Sequence, residues 1–297
     1  MAASENALLA AIYGRAAGDM PAGVVVGPGD DMAVVEVEGR RVLIGVDQVI
    51  EGVHFRLGDL SIDRVAYKAI ARSVSDVAAM AGLPTCAVVS AVLPRDAAYG
   101  DELAAALHRH GLALGCPVVG GDIAIAEGAL QLSVTVVGET GGMQPVLRSG
   151  ARVGDGVYVT GVLGGSYASG GHASFVPRVA AGRALAEHAT AMMDLSDGLA
   201  MDLGRLVEAS DGHGAGGAVV DAAALPCRAG CDWRAAVGDG EDYELLFTVP
   251  AGVAVPEAID GLAVTRIGEV TVSGGVVVRH ADGHIESVGE LGWEHGR

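Results

Sequence analysis

Carboxylates dominate the chemistry this sequence could do. Nine acids stand at predicted strand ends or on inward helix faces, nearly all beside glycine or serine: Asp30, Asp31, Asp47, Asp76, Asp122, Asp194, Asp197, Glu241 and Asp242. A carboxylate at the end of a buried strand is costly unless a cation or hydrogen-bond donors meet it. Burial alone drives such an acid towards its neutral form, whereas a divalent metal holds it ionised. The pattern centres on Arg41 to Phe55, R-V-L-I-G-V-D-Q-V-I-E-G-V-H-F, where a short apolar run delivers Asp47, Glu51 and His54 in succession. A lone acid of this kind is most simply a surface group. Its recurrence along the chain points instead to acids converging on cations. Oxygen ligands without clustered His or Cys select hard ions, Mg²⁺ above all, which bridges carboxylates and substrate phosphates. Glycine-rich surroundings let backbone N–H groups approach phosphate oxygens. Neither G-x-x-x-x-G-K-[ST] nor a kinase H-R-D loop occurs, so the expected phosphate chemistry belongs to neither class.

The elements that must position these acids follow from periodicity and turn residues. Ser4 to Arg15 reads as a helix with Ser4 as its cap, and Val24 to Val26 as a strand leading into the tight loop Gly27-Pro-Gly-Asp-Asp31. Met32 to Val37 continues as a strand, and Glu38-Gly39 turns it back into the central stretch. Asp63 to Ala81 predicts a helix that places Asp76 on the side of Met80, towards packed structure. Strands are expected over Cys86–Leu93, Pro117–Val119 (ending in Gly120-Gly-Asp122) and Leu130–Val137, with a helix over Asp101–Leu114. The pattern restarts near Gly141-Gly142. Strands Val157–Thr160, Ala191–Leu195, Val219–Val220, Leu245–Val249, Val264–Ile267 and Val276–Arg279 are expected, with helices Pro177–Ala189 and Leu199–Ala209. Short turns between several strands predict mixed α+β sheets in place of a doubly wound parallel fold. The domain boundary is placed between residues 140 and 150, giving units 1–142 and 143–297.

Composition sets the class. The chain has 297 residues, 51% apolar and 19% charged, enough for a substantial core in two domains of ordinary size. A net charge of −18 argues against a nucleic-acid partner, but not against a nucleotide brought in with Mg²⁺. Cys86, Cys116, Cys227 and Cys231 lack the spacing of a zinc site. The first twenty residues read as no signal peptide and no apolar run reaches membrane-spanning length, so a cytoplasmic protein without membrane partners is expected.

Gly29-Asp-Asp31, Glu51-Gly-Val-His-Phe55 after Asp47, Ser75-Asp-Val-Ala-Ala-Met80, Gly120-Gly-Asp122, Arg148-Ser-Gly-Ala151, Asp194-Leu-Ser-Asp-Gly198 and Gly240-Glu-Asp-Tyr-Glu-Leu245 occur in one order along nearly the whole chain. Together they resemble thiamine-monophosphate kinase, of the aminoimidazole ribonucleotide synthetase-like superfamily. A selenophosphate synthetase would want a reactive Cys near its start, and no Cys precedes Cys86. The resemblance implies a two-domain α+β fold: an N-terminal mixed sheet that closes a barrel across a homodimer, and a C-terminal α/β sandwich. It implies ATP-dependent phosphorylation of thiamine monophosphate, with Mg²⁺ on Asp31, Asp47, Asp76, Asp122, Asp194 and Asp197. It implies ATP contacts from Gly121, Asp122, Arg148 and Ser196, and thiamine-substrate contacts from His54, Glu241 and Trp293. The acceptor phosphate oxygen is ionised at neutral pH, so transfer is expected to be direct and in line, with no catalytic base or covalent intermediate. Asp47 and Arg148 support it, Arg148 as a phosphate clamp or an ordinary surface charge. Trp293 suits stacking on a ring or capping the last strand, and His54 alone would read as a structural histidine. The sequence departs from the family pattern at Gly45 and Val46, where hydroxyl residues usually precede the central aspartate, and at Ile123, where Thr is usual. The stretch from Gly164 to Arg183 is short and glycine-rich. These departures keep two alternatives open: a superfamily member with another acceptor, or a catalytically silent nucleotide-binding protein.

Overall fold

The computed structural model describes residues 5–16 and 20–293. The proposed cap Ser4 lies outside the described residues. Helix α1 spans Glu5–Ala16. The first sheet holds β1 (Val24–Val26), β2 (Ala33–Val37), β3 (Arg40–Ile50), β4 (Leu83–Pro94), β5 (Val118–Ala126) and β6 (Gln131–Glu139), in the spatial order β1-β2-β3-β6-β4-β5. Helices α2 (Ile62–Ala79) and α3 (Gly100–Ala113) cover one face of it. The second sheet is built from β7 (Gly156–Thr160), β8 (Ala191–Asp194), β9 (Gly217–Asp221), β10 (Leu245–Val249), β12 (Leu262–Thr271), β13 (Gly275–Arg279) and β14 (Ile285–Ser287). Its order is β14-β13-β9-β12-β7-β10-β8, with the two-residue β11 (Ala258–Ile259) on β12. Between its strands run α4 (Ser166–Ser169), α5 (Val179–Leu185), α6 (Leu199–Ala209) and α7 (Trp233–Gly238). Among these strands of the described residues, β4–β5 and β9–β13 pair in parallel and the others pair antiparallel. The mixed α+β expectation holds.

Alternation along β3 explains the two faces of the first sheet. Leu43 and Val49 point under α2 and are fully buried, while Ile44 and Val46 point away and are 39% and 63% exposed. Val88 on β4 continues that open, apolar face. Helix α2 begins at Ser61, whose hydroxyl accepts the Arg64 N–H at 3.3 Å. It then buries Val65, Ala66, Ala69, Ile70, Val74 and Val77 in the first core. Its last turn, Ala78 and Ala79, joins a different cluster with Leu185, Met192, Leu245 and Phe247 of the second half, so both sheets share α2. Helix α5 crosses there at close range. A Cβ on Gly182 would lie 2.1 Å from the Ala78 carbonyl oxygen, which only glycine avoids.

Two elements differ from expectation. Gly120-Gly-Asp122 lies inside β5, not at a strand end, because pairing with β4 continues through Ser90–Asp122 to Pro94–Ala126. Gly121 permits this, since a Cβ there would fall 1.9 Å from the Val89 carbonyl oxygen. The helix expected over 177–189 is limited to α5, and α4 plus a 3₁₀ turn at Gly171–Ala173 precede it. No helix among the described residues is long and apolar enough to cross a membrane.

Candidate active site

Asp31, Asp76 and Asp194 each bring a carboxylate oxygen within 4.8 Å of the others. They come from the loop before β2, from α2 and from the end of β8. The Ser75 hydroxyl donates to Asp194 Oδ2 at 2.5 Å, and Arg148 Nη2 donates to Asp31 Oδ1 at 2.8 Å. Asp31 Oδ2 is buried with no hydrogen-bond partner. Burial, then the neighbouring carboxylates Asp47, Asp194 and Asp31, push Asp76 well above the usual carboxylate range; Asp194 is raised for the same first reason. Crowded buried acids with an orphaned oxygen and only oxygen donors suit a hard divalent cation, which would keep all three ionised. The trio lines a cavity of about 1130 Å³ that also reaches Asp47, Arg148, Ser196, Asp197 and Arg205.

Adjacent acids turn out to be scaffolding. Asp30 accepts the Arg148 backbone N–H at 3.1 Å and so ties the 148–151 loop to the acid site; burial, then Asp31, pushes it up to about 6. Asp202, in the first turn of α6, receives the N–H groups of Ser196 and Asp197 at 3.1 and 3.0 Å and fixes the Asp194–Gly198 loop. Its burial, then Asp197, raises it to about 7. Asp197 is itself paired with Arg205. Asp242 accepts the Gly164 N–H at 2.7 Å, and Glu244 takes Arg178 and the Thr160 hydroxyl. Those bonds hold the 161–178 segment against β10.

That segment walls a second cavity, of about 530 Å³, reaching His54, Tyr167, Glu241, Tyr243 and Trp293. Beneath it, Lys68 is wholly buried on α2. Its ammonium donates to the His54 carbonyl, His172 Nδ1 and Glu241 Oε1 at 2.7, 2.8 and 2.7 Å, which matches three N–H groups to three acceptors. Desolvation lowers Lys68 to about 8 despite Glu241, and Glu241, against its own burial, is held below its ordinary value with the Lys68 ammonium beside it. Tyr167 stacks on the His172 ring at 4.4 Å. The Glu241 N–H bonds the Ser196 carbonyl at 2.7 Å, and Glu241 and Tyr243 both adopt left-handed backbone at φ +66° and +52°. Such strain concentrates at functional sites. His54 Nδ1 accepts the Ile50 N–H at 3.1 Å.

The structure therefore brings Asp31, Asp47, Asp76, Asp194, Asp197, Arg148 and Ser196 to one cavity and His54, Glu241 and Trp293 to its neighbour. Gly121 and Asp122 line neither. Asp47 pairs with Val134, Val134 with Val89 and Val89 with Gly121, which sets Asp47 on the helix-covered face and Asp122 on the open one. The two carboxylates cannot meet within one chain. Lys68, Arg72, Tyr167 and His172 escape the sequence reading. A signal existed for the first two: Lys68, Arg72 and Asp76 recur every four residues, on one face of the helix.

Comparison with known proteins shows the family. Residues 29–140 match the N-terminal domain of AIR synthase related proteins. The thiamine-monophosphate kinase of Rhodopirellula baltica is 35% identical over 318 residues, covering 98% of this chain and 97% of that protein. This chain belongs to the thiamine-monophosphate kinase family. The Escherichia coli K12 enzyme is 32% identical, with 99% of each chain covered. Among solved structures, the family member AaThiL complexed with AMPPCP and TMP superposes with a TM-score of 0.83 at 31% identity, covering 98% of this chain and 97% of that one.

Proposed function

We propose that this chain transfers the γ-phosphoryl group of ATP to the phosphate of thiamine monophosphate, giving thiamine diphosphate. The observation that carries the reading is the joining of two cavities, one holding an acid trio and one built around a buried Lys68–Glu241 pair, in a chain of this family. In this reading Asp31, Asp76 and Asp194 hold Mg²⁺, with Asp47 and Asp197 at the same cavity, and the metal offsets charge on the phosphates as they approach. Arg148 and Ser196 face the nucleotide. His54, Glu241 and Trp293 face the thiamine part, with Glu241 kept ionised by Lys68 to accept a donor from the ligand. The acceptor oxygen is already anionic, so none of these groups has to remove a proton, and the protein's task is positioning.

The open apolar face of the first sheet, with Ile44, Val46 and Val88 uncovered, supports a homodimer that closes a barrel. Gly121 and Asp122 then act at the junction of two copies. The chain divides at 142–143 in this reading, with the first and second cores on either side. The purified chain with ATP, Mg²⁺ and thiamine monophosphate, analysed by chromatography, should yield thiamine diphosphate and ADP. No product, with ATP still raising the melting temperature, would replace this reading by that of a silent nucleotide binder.

A further inference from the structure

Among the described residues, the two cavities share four lining residues: His54, Arg72, Ser196 and Asp197. A phosphorylated acceptor whose organic part sits beside Glu241 must present its phosphate to the acids through this shared wall. We propose that Arg72 grips the acceptor's phosphate there; the proposal rests on the kinase reading above and adds a residue to it.

Arg72 is the permanent cation of the four. His54 offers Nδ1 to the Ile50 amide, Ser196 is neutral and Asp197 is paired with Arg205. The Arg72 side chain is only 12% exposed and rises from the middle of α2, so its position is set by a buried helix. Nη1 donates to the Gln48 carbonyl at 3.0 Å, which fixes one edge of the guanidinium. Nε lies 3.5 Å from Asp47 Oδ2, beyond good hydrogen-bonding range, and is buried without a hydrogen-bond partner. The ring of Tyr243 lies 6.0 Å below. Most of the five N–H donors are therefore uncommitted, in a geometry that matches two phosphate oxygens at once. The neighbouring cations are placed differently. Arg148 is bonded to Asp31 and lines only the acid cavity, and Arg56 lines only the other one. A guanidinium at this wall neutralises the incoming phosphate before it meets the donor and holds one of its oxygens in line.

The test compares thiamine monophosphate with thiamine, which lacks the phosphate, by calorimetry without ATP. Arg72→Gln should weaken thiamine monophosphate binding about 10- to 100-fold while thiamine binding stays within about 2-fold, as expected when only phosphate contacts are lost. In turnover, KM for thiamine monophosphate should rise while KM for ATP holds. Arg72→Lys, which keeps the charge without the fork, should fall between, and it carries the comparison if the glutamine variant does not fold. Equal loss for both ligands, or an unchanged ratio, overturns the inference and leaves Arg72 a brace for Gln48. A wild-type chain that neither binds nor phosphorylates thiamine monophosphate overturns the kinase reading instead.

Discussion

Replacing Lys68 by Met tests whether the floor of the smaller cavity is held by charge. The substitution nearly conserves volume but strands three acceptors: the His54 carbonyl, His172 Nδ1 and the Glu241 carboxylate. Glu241 would then be a buried anion without its cation. Removing one partner of a buried pair typically costs about 3–5 kcal/mol. Yet burial already lowers Lys68 to about 8, so attraction to Glu241 offsets only part of the desolvation. Removing both charges, Lys68→Met with Glu241→Gln, should therefore return stability to within about 1 kcal/mol of wild type. The measurement is urea denaturation at pH 7 followed by circular dichroism, arranged as a double-mutant cycle. A single variant losing less than about 1 kcal/mol would mean that the ammonium is solvated in solution, against the burial seen here. A double variant as unstable as the two singles summed would show the groups to be independent.

Asp47→Asn should lower kcat by at least about 100-fold, as loss of a charge-stabilising group does, while the melting temperature moves little, because Asp47 sits at a cavity wall; unchanged turnover would remove Asp47 from the site. Asp76 and Asp194 carry raised values because of burial and then repulsion from neighbouring carboxylates, so the folded chain keeps protons that the unfolded chain has lost. Stability of the metal-free protein should therefore fall as pH rises from about 4, the ordinary carboxylate value. Mg²⁺ should then raise the melting temperature more at pH 8 than at pH 5, and equal shifts in scanning calorimetry would argue against ions on this trio. Gly182→Ala sets a methyl 2.1 Å from the Ala78 carbonyl oxygen, and the forced separation of α5 from α2 should cost about 1–3 kcal/mol in the same denaturation assay.

Local signals carried much of this architecture. The helix over Leu199–Ala209 appears at the expected bounds, and Glu38-Gly39 makes the expected turn, with Glu38 at φ +48°. The acids at strand ends were legible because glycine and serine flank them and leave backbone donors free. Their division of labour was not. Asp30 and Asp242 bond backbone N–H groups of distant segments, and only the folded chain shows that Arg148 or Gly164 lies within reach. Gly120-Gly-Asp122 reads as the end of a strand because glycine usually closes one. Here the bare Cα is what lets β5 run alongside Val89. Lys68 was hidden by the opposite bias: a lysine on a helix reads as solvated until its neighbours prove buried all round.

The single helix shared by both sheets also constrains how ligands come and go. With Ala78 and Gly182 in backbone contact, a hinge at that crossing has no clearance in which to swing. Exchange with solvent at the smaller cavity must instead proceed through its loop-built rim, where Tyr167 rests on a turn bounded by glycines 165 and 170. Ligand exchange then flexes the rim and leaves the packed crossing, which keeps the two halves in register, in place.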